Sequence, residues 1–228
     1  MKISIITLFP QMFSGPFDHS IIKRAINKKL VEIKFVNIRN FGIGKHQTVD
    51  DRPFGGGAGM ILKVDVLDRA IQKARDPKIK KNKEKVFLLS PKGKQFNWKL
   101  AKKLADLDHL ILLCGHYEGV DERIINFIDG EISVGDFIVT GGEIPAMLIT
   151  DAVIRLGKGV IRDGAATSES FFSQLEYPQY TQPRIYKKKS VPKILLSGNH
   201  VQIDKWKKEK SLTITNKLRP DLIEKDRS

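Results

Sequence analysis

The chain alternates short, almost unbroken apolar runs with segments whose apolar residues recur every three or four positions. ISIITLF precedes SIIKRAINKKL and VEIKFVNI; later come VDVLDRAIQKAR, KVFLLS, WKLAKKLADLD, HLILLC, DERIINFI, DFIVT and PAMLITDAVIRL. Apolar runs without polar alternation mark strands covered on both faces, and the interleaved helical period supplies the covering layers. The pattern predicts an α/β fold, a mostly parallel sheet with helices on both faces. Ligands of such sheets sit outside the carboxyl ends of the strands, which directs attention to the loops after Leu89, Leu113 and Val139.

Two segments break the alternation. Residues 73–85, KARDPKIKKNKEK, read as a charged, solvated connector. After Leu156 the chain becomes rich in small, polar and proline residues, GKGVIRDGAATSESFFSQLEYPQYTQP, the composition of a linker or lid. Beyond it, VPKILLSGNHVQIDKWKKEKSLTITNKL reads as a short, basic, mainly helical module. The expected division is a first domain over 1–161, a linker or lid over 162–172 and a small helical domain over 173–228.

With 228 residues and 41% apolar content, the chain has enough material for a core. Forty Lys and Arg against 26 Asp and Glu leave a net charge of +14. The excess is uneven: from Arg184 to Arg219 there are eleven basic residues and two acidic ones. Such a charge points first to RNA or DNA and second to an anionic membrane, with a merely solubilising surface as the plain alternative. No apolar stretch has the length of a membrane span, and MKISIITLFP runs straight into a strand pattern without a signal-peptide layout, so a cytoplasmic location is expected. A single cysteine, Cys114, excludes an internal disulfide and a multi-cysteine zinc cluster, and its apolar setting reads as a buried structural thiol. Histidines 19, 46, 109, 116 and 200 lack metal-ligand spacing, so no metal is expected.

Three strand-ending loops carry glycine: SPKGK (90–94), CGHYEGVDER (114–123) and SVGDFIVTGGEIPA (133–146). In the last, Phe137, Ile138 and Val139 read as a buried strand, yet glycine flanks the run on both sides with a carboxylate beside each. Glycine at strand ends marks a sharp turn or a close approach. Any one loop alone is an ordinary strand-to-helix turn. Three at successive strand ends predict a pocket for a small polar ligand with an apolar part. Phosphate-binding templates fail: FGGGAGMIL lacks the trailing Gly-Lys-Ser/Thr of a phosphate loop, and no dinucleotide fingerprint or serine-hydrolase elbow is present.

TLFPQMF, TVDDRPFGGGAGM, LLSPKGK, LCGHYEGVDER, SVGDFIVTGGEIPAM, LEYPQYTQP, VPKILLSGNH and IDKWK together resemble the bacterial tRNA (guanine-N1)-methyltransferase family, in the family's order and over nearly the whole chain. The resemblance implies a SPOUT-class α/β fold with a deep trefoil knot, a homodimer, and S-adenosylmethionine as donor of a methyl group to N1 of the guanosine just 3′ of a tRNA anticodon (position 37). It implies a partner that is tRNA, not DNA or a membrane. By position, the donor pocket would use Gly115, Val134, Gly135, Asp136, Phe137, Ile138 and Val139, lined by Ser90, Pro91, Gly141 and Gly142. A sulfonium cation favours a nearby carboxylate, for which Asp136 and Glu118 are available; each has the alternative of a helix cap or an ion-pair partner, and for Glu118 the two readings weigh equally.

Guanine N1 carries a proton and becomes nucleophilic only when it leaves, so a general base and a cation facing O6 are required. The resemblance places the cation at Arg155, whose plainer reading is an ion pair with Asp151 one helical turn earlier. It places the base one residue before Ser170, where the family has aspartate and this chain has Glu169. The carboxylate is kept with one methylene more. Ser168 cannot replace it, and Asp163 is the next carboxylate upstream. For the RNA, Asp50, Asp51 and Arg52 would meet the target base region, with Glu118 near them, while Lys188, Lys205, Lys207 and Lys208 position the backbone. Two other functions share these features: the same enzyme class acting on another RNA, and a non-catalytic RNA-binding homologue.

Overall fold

The computed structural model describes residues 1–162 and 169–224. It divides into two compact units, Met1–Arg162 and Asp163–Ser228. In the first, β1 (Lys2–Thr7), β2 (Glu32–Asn37), β5 (Glu84–Gln95), β6 (His109–Cys114) and β7 (Gly130–Ser133) form one sheet in the order β2-β1-β6-β5-β7. Every neighbouring pair is parallel. All six residues of the central β6 are buried. Ile111 and Leu113 join one core with Ile6, Val86 and Leu88, while Leu110, Leu112 and Cys114 join the other with Ile3, Ile5 and Leu89. This is the two-residue period of the pleat; because both faces are covered, both sets are apolar and the sequence shows an unbroken run.

Helices form the outer layers. α2 (Val64–Ala74) covers one face with Val66, Leu67, Ala70, Ile71 and Ala74, a single stripe at helical spacing. Asp65 in its first turn and Lys73 in its last complement the helix dipole. α1 (Ser20–Asn27), α3 (Trp98–Ala105) and α4 (Glu143–Arg155) cover the other face through Ile22, Ala101, Leu104, Ile149 and Val153. The Asn97 side chain accepts a hydrogen bond from the Leu100 amide at 2.9 Å and so starts α3. Burying each large aliphatic side chain contributes about 1.5–3 kcal/mol, and Leu112→Ala in the sheet centre would cost about 2–5 kcal/mol.

Near the amino ends of the strands a buried polar chain links β1, β6 and β5. Ser4 Oγ lies 2.8 Å from His109 Nε2, and His109 Nδ1 lies 2.7 Å from Glu84 Oε2. Glu84 also accepts from Arg75 and from the Asp76 amide. Burial lowers the proton affinity of His109 against the opposing pull of Glu84. The neutral ring donates from Nδ1 to Glu84 and accepts the Ser4 hydroxyl at Nε2. The unfolded chain therefore takes up this proton more readily than the folded one. Stability contributed by the neutral ring is lost as pH falls below about 6.5, so the thermal midpoint should drop between about pH 7.5 and pH 5.5, and His109→Gln should flatten that dependence in calorimetry.

Two expectations about strands are corrected. Phe137, Ile138 and Val139 form no strand; β7 ends at Ser133, and residues 134–142 are an open loop in which Ile138 is 82% exposed. Local apolar content gave a strand, but among the described residues no strand pairs with it. SPKGK is also not a loop past a strand end: β5 runs on to Gln95, and residues 90–93 bulge where the pairing partner Ile132 passes from Leu89 to Lys94.

The second unit holds a hairpin of β8 (Ile185–Tyr186) and β9 (Lys189–Ser190), the long α5 (His200–Leu218) and the short α6 (Asp221–Glu224). Asn199 caps α5 by accepting from the Gln202 amide, and the Leu175 amide donates to Thr215 on that helix. No helix among the described residues is long and apolar enough to cross a membrane.

Candidate active site

At the carboxyl ends of β6 and β7, beside the mid-strand bulge of β5, lies a cavity of about 520 Å³, bounded by Ser90 and Pro91, the loop 115–120 and the loop 134–142. Its volume is in the range of small-molecule sites. The three glycine-bearing segments thus do converge. Ser90, Pro91, Gly115, Glu118, Val134, Gly135, Phe137, Ile138, Val139, Gly141 and Gly142 all line it. Asp136 is in the same loop but exposed and outside the lining.

The glycines have different reasons. A β-carbon on Gly142 would stand 2.6 Å from the Cys114 backbone, and the Gly142 amide donates to the Gly115 carbonyl at 2.9 Å, so this crossing requires bare backbone. A β-carbon on Gly141 would stand 2.4 Å from Glu143 Oε2 and 2.7 Å from His116 Nδ1. Gly141 is therefore excluded from bearing a side chain by the protein's own buried polar groups. Gly115 has room: its nearest neighbour would be the Leu89 carbonyl at 3.7 Å.

Glu143 was given no role by the sequence. It is 1% exposed at the start of α4, and its Oε1 accepts from Thr7 Oγ1 at 2.6 Å. Glu143 Oε2 and His116 Nδ1 are buried without hydrogen-bond partners among the described residues. Buried polar groups are rarely left this way, and the exceptions cluster where a ligand or catalytic group acts. The available signal was the carboxylate beside glycine in GGEIPA, but its partner Thr7 lies 136 residues away. The Cys114 thiol beside it is held well above its ordinary pKa by burial and then by the Glu143 charge, which makes it an inert packing group.

The charge of the cavity opposes that of the chain. Glu118, Glu122 and Glu131 line it against one lysine, Lys92. Lys92 donates to Glu122 at 2.9 Å, which raises its pKa; both side chains are exposed, so solvent weakens the pair.

The segment 48–60 meets the site through the loop 115–121. β3 (Asp50–Asp51) pairs with β4 (Ile61–Leu62), Leu62 bridges to Val120, and the Glu118 amide donates to the Met60 carbonyl at 3.1 Å. The Glu118 side chain fills the space beside Gly59. Asp51 accepts from the Arg52 amide and from Lys63, which together lower its pKa. Asp50 is half-buried and Arg52 exposed. Phe54 is wholly exposed among glycines with positive φ, an aromatic platform that the sequence reading passed over.

Arg155 is not at its own chain's cavity edge. It ends α4, which starts beside the cavity at Glu143; twelve residues at 1.5 Å each put it about 18 Å along the helix. Glu169 lies in the second unit, where its carbonyl accepts from the Phe172 amide. Ser168 and Asp163 lie outside the described residues. No cluster of potential metal ligands occurs among the described residues.

Comparison with known proteins agrees with this geometry. The chain is 54% identical over 227 residues to a tRNA (guanine-N(1)-)-methyltransferase of Clostridium botulinum (strain Kyoto / Type A2), covering 99% of this chain and 92% of that protein. Proteins of the same description from Dictyoglomus turgidum and Carboxydothermus hydrogenoformans are 52% and 50% identical, over 99% and 98% of this chain and 91% and 87% of theirs. The family described as tRNA (Guanine-1)-methyltransferase TrmD matches residues 1–225. A sheet that ends in an acidic crevice of glycine-bearing loops, together with relatives matching end to end, leaves one assignment: the chain belongs to the tRNA (guanine-1)-methyltransferase family.

Proposed function

We propose that this protein transfers the methyl group of S-adenosylmethionine to N1 of the guanosine 3′ of the anticodon, position 37, in tRNA. The observation that carries the donor site is the acidic cavity at the carboxyl ends of the strands of a chain whose net charge is +14. Three carboxylates suit a ligand bearing sulfonium and ammonium cations. When bound, S-adenosylmethionine supplies an electrophilic methyl carbon whose leaving group departs as a neutral thioether. Glu169 takes the N1 proton, so that the N1 electron pair can form the new bond. Arg155 faces O6 and stabilises the negative charge that spreads there. Asp50, Arg52 and Glu118 surround the target base, and Phe54 offers it a stacking face.

The site is composite in this reading. Arg155, some 18 Å along α4 from its own cavity, would serve the cavity of a second copy. Ile144 and Leu148, one turn apart on the same face of α4, are 51% and 46% exposed, although the helix is apolar on its buried side as well. Two exposed aliphatic side chains side by side on one face are a patch that a homodimer would cover. The trefoil knot is what the family resemblance implies for this fold. Residues 162–172 would act as the lid and 173–228 as the RNA-binding domain. Gly141→Val should abolish donor binding in calorimetry while the variant remains folded, because the new side chain displaces Glu143 and His116.

The direct test is transfer of tritium from labelled donor to a tRNA transcript. Incorporation with guanosine 3′ of the anticodon and none with adenosine there supports the reading; incorporation into another RNA, or none with donor bound, overturns it.

A further inference from the structure

The hairpin β8–β9 carries an unusual turn. Tyr186 pairs with Lys189, and the two residues between them, Lys187 and Lys188, have φ of 46° and 64°. Positive φ at both central positions is the signature of a type I′ turn, which asparagine-glycine fills with least strain. Lysine adopts this region rarely because of its β-carbon. Two residues with positive φ stand at an exposed tip, and such outliers are kept where the side chains serve a function.

The charge around the tip is equally one-sided. Between Glu176 and Asp204 there is no carboxylate, while Arg184, Lys187, Lys188, Lys189 and Lys193 stand in that stretch. None of the five forms an ion pair among the described residues. The Lys187 ammonium sits 5.5 Å over the Tyr186 ring, which is itself 62% exposed, so the tip is held partly by its own aromatic. The backbone ladder continues below it through the Val191 amide and the Arg184 carbonyl at 2.9 Å.

We infer that the lysine tip of this hairpin is an RNA-phosphate contact, a finger in which the type I′ turn aims Lys187 and Lys188 at successive phosphates of the tRNA backbone. The inference rests on the proposed tRNA substrate and adds to it a defined contact point. The finger is a positioning device, reading backbone charge and no base.

The test replaces the tip by the residues its geometry prefers, K187N together with K188G, which keeps the turn and removes both charges. Binding of full-length tRNA to the intact protein should weaken roughly tenfold or more near 0.1 M salt, and the slope of log affinity against log salt should become shallower by about one to two units. Donor affinity and single-turnover transfer at saturating tRNA should be unchanged, so KM moves and kcat does not. K187R with K188R should bind as the parent does. Unchanged affinity and slope in the Asn-Gly variant, with the parent active on tRNA, overturns the finger alone; a parent that neither binds nor methylates tRNA overturns the function on which it rests.

Discussion

Glu169→Ala should lower single-turnover methyl transfer by about 10²–10⁴, the usual cost of removing a general base, with donor and tRNA affinity retained. N1 of guanine offers no free electron pair until its proton leaves, so a variant that binds both substrates but cannot accept that proton is stalled at chemistry. Glu169→Gln keeps the shape and should fail equally, because an amide is no base. Glu169→Asp restores the family's residue and should remain active, which separates loss of the carboxylate from disturbance of the chain around it. Transfer by the alanine variant within threefold of the parent, a change far smaller than a base contributes, would move the base elsewhere, with Asp163 next to be replaced.

Two inactive variants should restore activity to one another when their subunits are exchanged. Gly141→Val disables the cavity of its own chain, and Glu169→Ala disables the base. If each site takes its cavity from one copy and its base from the other, a mixed dimer has one intact site. Random pairing of equal amounts makes half of the dimers mixed, each with one working site of two, so recovery should reach about a quarter of the parent rate. If the site lay within one chain, no pairing would unite an intact cavity with an intact base, and the mixture would stay inactive. Loss of transfer in a monomeric Leu148→Glu variant that still binds donor is the companion result; an active monomer would end the composite site.

Much of the fold was legible along the chain. HLILLC declared a doubly covered strand because burial on both faces removes the polar alternation, and β6 is that strand. VDVLDRAIQKAR declared α2 through its stripe. DFIVT misled because apolar content says that a segment needs cover without saying from what; here the residues wall a cavity, and Ile138 stands open. SPKGK misled because a bulge depends on the partner strand β7, about forty residues further on.

The site divides in the same way. Glycine is a local property, so the loops holding Gly115, Gly135, Gly141 and Gly142 stood out, although no strand precedes Gly141; the family resemblance assigned the pocket residues one by one. The sequence by itself determined the α/β alternation, the basic C-terminal stretch and the family. Only the tertiary structure decided that Glu143 is buried against Thr7, that His116 and Glu143 deny Gly141 a side chain, that Arg155 lies a helix-length from its own cavity, and that two lysines hold a type I′ turn. The physical reason is range: periodicity and propensity act over a few residues, whereas burial, close backbone approach and the pairing of a carboxylate with its donor arise only where distant segments meet.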